Sequence, residues 1–168
     1  MDVTYAPVGG TRTGELPTGY DHLRYRTRLP PGAFVTAAEA VLTWRMHRAA
    51  GVGLRASAPR AAPGVRVAVG FGVGALRLWA PCVVVWTVEE ADRAGWGYGT
   101  LPGHPQSGEE AFMVTRDAGG GVWLTVLAYS RPARWVTRAG GPLVGAFQRG
   151  YARWLGRTLV RLCRRPDG

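Results

Sequence analysis

The stretch from Trp96 to Glu110 is dense in side chains able to do chemistry, reading Trp-Gly-Tyr-Gly-Thr-Leu-Pro-Gly-His-Pro-Gln-Ser-Gly-Glu-Glu. Turn-forming glycines and prolines around titratable groups describe a shaped loop at the rim of a pocket. Glu109 and Glu110 open a strand-like run, so alternation sends one side chain inward and the other outward. An inward carboxyl in an apolar cavity has a raised pKa and suits general acid or base work. The catalytic candidates are therefore Glu110 as base, with His104 or Tyr98 as acid or oxyanion donor. His104, set between Gly103 and Pro105, would also shuttle protons near neutral pH. The plainer role for either glutamate is an ion pair with an arginine, or capping of loop amides.

Without catalysis, the same passage supplies a binding wall. Trp96, Tyr98, Thr100, His104 and Glu110 would join Leu124 and Val126 from a later strand and Phe147 and Tyr151 from the last helix. Apolar walls with few polar groups describe small-molecule sites, although core packing is the plainer reading of any single aromatic. Neither metal nor cofactor is expected. His22, His47 and His104 are scattered, and Cys82 and Cys163 lack companions at ligand spacing. Gly70-Phe71-Gly72-Val73-Gly74 lacks the spacing of a dinucleotide loop and runs into more strand, so it reads as a bend or bulge. Ser130 has no nucleophile-elbow context.

The elements that must position these groups follow from periodicity. The 168 residues fit one domain, 1–168, with residues 1–18 an irregular arm rich in Gly, Thr and Pro. Alternation predicts a strand over Tyr20–Leu29, and apolar spacing predicts a helix from Phe34 to Ala50. Further strands are expected at Val65–Phe71, Leu76–Trp79, Pro81–Glu89, Arg93–Thr100, Glu109–Arg116 and Val122–Ser130. Asp117 to Gly121 is a hairpin turn joining the last two. After Pro142 a long amphipathic helix carries Val144, Phe147, Tyr151, Leu155, Thr158 and Leu162 on one stripe.

The formal charge of +10 comes from arginine, lysine being absent, and no acidic residue occurs between Ala118 and Pro166. On the last helix Arg149, Arg153, Arg157 and Arg161 recur at four-residue intervals as an anion-facing surface. An anionic membrane surface would suit that face; nucleic acid is disfavoured because no binding motif accompanies the charge. No apolar run approaches a membrane span of ~20 residues, and the first residues lack signal-peptide order. The expected location is the cytoplasm, with peripheral membrane attachment as the variant.

This order of elements predicts an α+β fold in which a curved antiparallel sheet wraps around a long C-terminal helix, with a short helix after the first strand. It resembles the START-like helix-grip architecture. At the central motif the resemblance sharpens. Gly97 to Pro105 followed by Gly108-Glu109-Glu110 is similar to the DUF1990 family, as are Tyr5 with Gly9-Gly10, Leu16-Pro17, Gly19-Tyr20, Trp44 and Ala80-Pro81-Cys82. Ser130 to Ala133 and Gly141-Pro142 leading to Gln148 agree. The helix-grip resemblance implies a hydrophobic or amphipathic small molecule or lipid held between sheet and helix. The alternatives are a cyclase- or hydratase-like enzyme in that cavity, and a membrane-surface or protein-interaction module using the arginine face.

Overall fold

Cross-strand pairing of alternating apolar residues organises most of the chain. The computed structural model describes residues 2–71, 78–133 and 141–164. Its strands are β1 (Asp21–Arg28), β2 (Gly53–Ala56), β3 (Arg66–Phe71), β4 (Leu78–Glu89), β5 (Arg93–Thr100), β6 (Gln106–Arg116) and β7 (Val122–Pro132). They form one curved antiparallel sheet in the order β1-β7-β6-β5-β4-β3-β2. The helices are α1 (Gly10–Thr13), α2 (Phe34–Leu42), α3 (Arg45–Ala49) and α4 (Gly141–Arg164).

The inner face of the sheet carries the core. Trp96 stands opposite Phe112, and Phe112 opposite Val126, so three strands present one continuous apolar row. All three side chains are fully enclosed. A side chain of this size contributes ~1.5–3 kcal/mol when taken from water, so this row is a major part of what holds the helices to the sheet. The Trp96 indole also donates to the Val41 carbonyl at 3.0 Å, which ties α2 to β5.

The C-terminal helix α4 buries Ala152, Leu155 and Leu159 and turns Arg149, Arg153, Arg157 and Arg161 outward. It packs tightly on β1 at Gly156, where an added Cβ would run into the Thr27 side chain. Trp154 lies at the edge of this packing and donates to the Ala50 carbonyl at 2.9 Å. Among the described residues no helix is long and apolar enough to cross a membrane.

Several local expectations change. The helix expected over 34–50 breaks at Thr43–Trp44, because Trp44 adopts a positive φ of 67°. That conformation is costly for a bulky residue. It is held by full burial of the ring, its 3.0 Å bond to the Ala58 carbonyl and an edge contact with Trp96. A short strand, β2, pairs with β3 where none was expected, and β6 begins at Gln106 rather than Glu109. The two strands expected around Trp79 and Pro81 are one strand, β4; Leu76, Arg77 and the glycines at 72 and 74 lie outside the described residues.

Candidate functional site

Consecutive residues of β6 serve opposite faces of the sheet. Glu110 points to the inner face, in register with Tyr98 on β5 and Ala128 on β7. Glu109 is in register with Gly99 and Tyr129 and lies 2% exposed beneath the N-terminal arm.

On the inner face a cavity of about 320 Å³ separates the loop end of the sheet from the first half of α4. Tyr98, Thr100, Gln106, Glu110, Ala128 and Ser130 form its sheet wall; His104 comes from the connection into β6, and Phe147, Gln148 and Tyr151 line it from α4. The surface is overwhelmingly apolar, as a small-molecule site requires.

The Tyr98 hydroxyl donates to Glu110 Oε2. Burial pushes the Glu110 carboxyl up to about 7, while the Tyr98 bond opposes that shift. Burial foremost, then the neighbouring Glu110, raises the Tyr98 phenol well above its ordinary range, so it stays protonated. Both forms of Glu110 are therefore populated near neutral pH, which suits a general acid or base.

The remaining polar wall groups are largely paired among themselves. Gln148 donates to Gln106 Oε1 at 3.0 Å and to Ser130 Oγ at 3.1 Å, linking α4 to β6 and β7 at the cavity rim. The Thr100 hydroxyl binds the Gly108 backbone, accepting from its N–H at 3.0 Å. His104 Nδ1 lies 3.0 Å from the Gln106 N–H and 2.9 Å from the Gln106 carbonyl. A neutral ring satisfies one of these contacts per tautomer, so in either tautomer Nδ1 belongs to the loop. Burial lowers the His104 pKa to about 4, against the opposing pull of the Gln106 backbone, and the ring is neutral at pH 7.

Of the residues expected to touch a ligand, Tyr98, Thr100, His104, Glu110, Phe147 and Tyr151 are on this wall. Trp96, Leu124 and Val126 are not: they lie in the packed core, where α2, α3 and α4 cover the far end of the inner face. Gln106, Ala128, Ser130 and Gln148 were not anticipated as wall groups. Strand alternation from Glu110 pointed to Ala128 once the β6–β7 register was known, but the reach of Gln148 depends on the tilt of α4. The arginine stripe is exposed as expected; Arg161 bonds Thr158 at 3.0 Å and lies over the Trp154 ring. Arg134, Arg138 and Arg165 lie outside the described residues.

The outer face holds the other unanticipated arrangement. Glu109 Oε2 accepts from the Tyr5 hydroxyl and the Gly9 N–H, both at 2.7 Å. Its Oε1 accepts from the Thr11 N–H at 3.0 Å, the Thr11 hydroxyl, and the Trp86 indole at 3.3 Å. Gly97 and Gly99 make room for this cluster, since a Cβ on either would strike Trp86 or Tyr5. The Trp-Gly-Tyr-Gly pattern thus places aromatics on the inner face and leaves the outer face open for the arm.

Residues 4–158 match the family described as a domain of unknown function, DUF1990. A UPF0548 protein of Deinococcus radiodurans is 37% identical over 176 residues, covering 94% of this chain and 86% of that relative. Among solved structures, the hypothetical protein jhp0584 of Helicobacter pylori superimposes with a TM-score of 0.65 at 11% identity, covering 96% of each chain. Human STARD10 superimposes with a TM-score of 0.64 at 7% identity, covering 96% of this chain and 81% of its own. Likenesses at such low identity show the fold alone, a START-like helix-grip.

Proposed function

Since the chain belongs to the DUF1990 family, a domain of unknown function, we propose its role from the cavity: it binds an apolar or amphipathic small molecule between sheet and C-terminal helix. The observation that supports this reading is an apolar space of about 320 Å³ with a carboxyl–phenol pair on its wall. Such volumes lie within the size range of small-molecule sites. Native mass spectrometry of gently purified protein, followed by organic extraction, is expected to show a stoichiometric apolar compound. Ala128→Phe, which fills the cavity from β7, is expected to abolish its retention. Retention undiminished by Ala128→Phe overturns the reading.

A second reading is favoured by the Tyr98–Glu110 pair: proton transfer on a bound carbonyl substrate, with Glu110 as base and Tyr98 as the oxyanion donor. Turnover of the extracted compound or its carbonyl derivatives would separate enzyme from carrier. The enzyme reading predicts a rate loss of about a hundredfold or more in Glu110→Gln, and an unchanged rate removes Glu110 as base.

A further inference from the structure

Resting on the cavity reading above, we propose that the ligand is a neutral molecule ending in a carbonyl oxygen, which accepts a hydrogen bond from the Glu110–Tyr98 pair, and that Glu110 takes up a proton from solvent as this ligand enters. Tyr98 and Glu110 are in register on β5 and β6, both line the cavity, and the phenol donates to Glu110 Oε2. The protonation state of the pair decides what it can offer. With Glu110 ionised the pair holds one O–H, that of Tyr98, and the bond to the carboxylate uses it. With Glu110 protonated it holds two. One still joins the partners, whichever of them donates, and the other is left for an acceptor on the ligand. A carbonyl oxygen is an acceptor alone, so it finds a donor on the protonated pair and a negative charge on the ionised one.

Desolvation acts in the same direction. Burial already outweighs the Tyr98 bond and pushes the Glu110 carboxyl up to about 7, so acid and carboxylate coexist near neutral pH before any ligand binds. An apolar body entering this apolar space displaces water from beside the carboxyl and disfavours the charged form further. Ligand entry and proton uptake are thereby coupled, and each strengthens the other by the same factor.

The titratable neighbours of Glu110 on the surrounding elements keep their charge state where it changes its own. Tyr98 on β5, Tyr151 on α4 and Cys82 on β4 are pushed upward, chiefly by burial, and stay protonated. His104, on the connection into β6, is pushed downward by burial to about 4 and stays neutral. Gln106, Gln148, Thr100 and Ser130 also line the wall; their amides and hydroxyls are neutral throughout and add polar contacts without a pH dependence.

The test is calorimetric titration of the protein with 2-nonanone and with 2-nonanol, which share a carbon chain and differ in the head group. At about pH 8 the ketone is expected to draw close to one proton per site, read from the dependence of its heat on the ionisation enthalpy of the buffer. Its Kd should rise about tenfold between pH 6 and pH 8, as an acid near 7 passes to carboxylate. The alcohol can accept from the acid or donate to the carboxylate, so its Kd should change by less than about threefold over that range. Glu110→Gln supplies an amide donor at every pH and should bind the ketone with a flat pH profile and no proton uptake. Tyr98→Phe keeps the titrating acid and removes the bond that lowers its pKa, so the ketone profile should move to higher pH. Ketone binding without proton uptake, an equal loss with pH for the alcohol, an uptake that persists in Glu110→Gln or a profile unmoved in Tyr98→Phe overturns the proton-linked carbonyl assignment while the cavity reading stands. Failure of both compounds to bind, or binding undiminished by Ala128→Phe, overturns the cavity reading and this assignment with it.

Discussion

Replacing Glu109 by glutamine should cost far more than an isosteric change on a surface. The two oxygens of Glu109 face donors only: Tyr5 and the Gly9 N–H at Oε2, the Thr11 N–H, Thr11 hydroxyl and Trp86 indole at Oε1. An amide must turn its NH2 toward one of these groups. The hydroxyls can rotate and accept from it, but the backbone N–H groups cannot. With NH2 on the Oε2 side Gly9 loses its acceptor; on the Oε1 side Thr11 loses its own. One orphaned buried donor costs about 1–3 kcal/mol. Loss of charge assistance in the bonds that remain adds about 1 kcal/mol. The expected destabilisation is therefore about 2–4 kcal/mol, read from urea unfolding at constant m-value. For a chain of this size that corresponds to a fall in Tm of about 5–15 °C. Amide hydrogen exchange should accelerate selectively at Gly9 and Thr11, because the lost contacts hold the arm and not the sheet. A loss below about 0.5 kcal/mol, or unchanged exchange at both amides, refutes the view that this carboxylate clasps the arm.

Among the described residues the fully buried His47 finds no hydrogen-bond partner for either ring nitrogen; it packs edge-on against Phe112, and burial lowers its pKa to about 3. Above about pH 6.5 both folded and unfolded chains hold it neutral; below that the unfolded chain takes up a proton the native state refuses, so stability falls, by about 2 kcal/mol at pH 5. His47→Phe should flatten this pH 5–7 difference by that amount in urea unfolding, and parallel profiles for the two proteins would refute it. Two glycines of α4 should respond with opposite signs in thermal melts. Gly156→Ala drives a Cβ into Thr27 and is expected to cost about 1–2 kcal/mol, whereas Gly150→Ala, with nothing within 4 Å, should gain up to about 1 kcal/mol. Equal effects would refute the packing of α4 on β1. The exposed Arg149, Arg153, Arg157 and Arg161 should draw the protein to anionic vesicles at low salt. That binding is expected to fade as the Debye length shrinks below ~8 Å, and its absence at low salt removes the membrane role for this face.

The sheet and the last helix were legible because their signals are local. Leu23 alternates with Arg24 and Arg26, and the resulting buried and exposed positions are those of β1. The α4 stripe of Leu155 and Thr158 opposite Arg153 and Arg157 likewise becomes its packed and solvated faces. What escaped depends on contacts distant in sequence. The break at Trp44 is imposed by a site for its ring against Trp96 and Ala58, and no breaker residue announces it. Residues 4–13 read as an irregular arm, since their hydrogen-bond partners lie about a hundred positions away on β5 and β6. Trp96, Leu124 and Val126 have the same inward parity as the cavity wall. Only the placement of α2 and α3 over one end of the sheet decides which inward residues are packed and which remain open.

The two adjacent glutamates show how one strand divides structural and chemical work. A β-strand turns neighbouring side chains to opposite faces, so fixing Glu109 on the outer face fixes the rotation of β6 and thereby the aim of Glu110 into the cavity. Glu109 is surrounded by donors and ties the arm to the sheet; among the described residues Glu110 accepts from Tyr98, and it faces the cavity. A slip of β6 by one residue would exchange the two environments and leave the arm's amides facing Glu110 or Gly108. Gly108 resists that slip, since a side chain there would strike the Tyr129 backbone. The clasp on one face is thus part of the apparatus that positions the carboxyl on the other. Glu109→Gln should accordingly disturb the pH dependence of binding at Glu110 even though it touches no ligand. A variant that loses stability but keeps that pH dependence would separate the two faces and show that the register of β6 is held by the sheet alone.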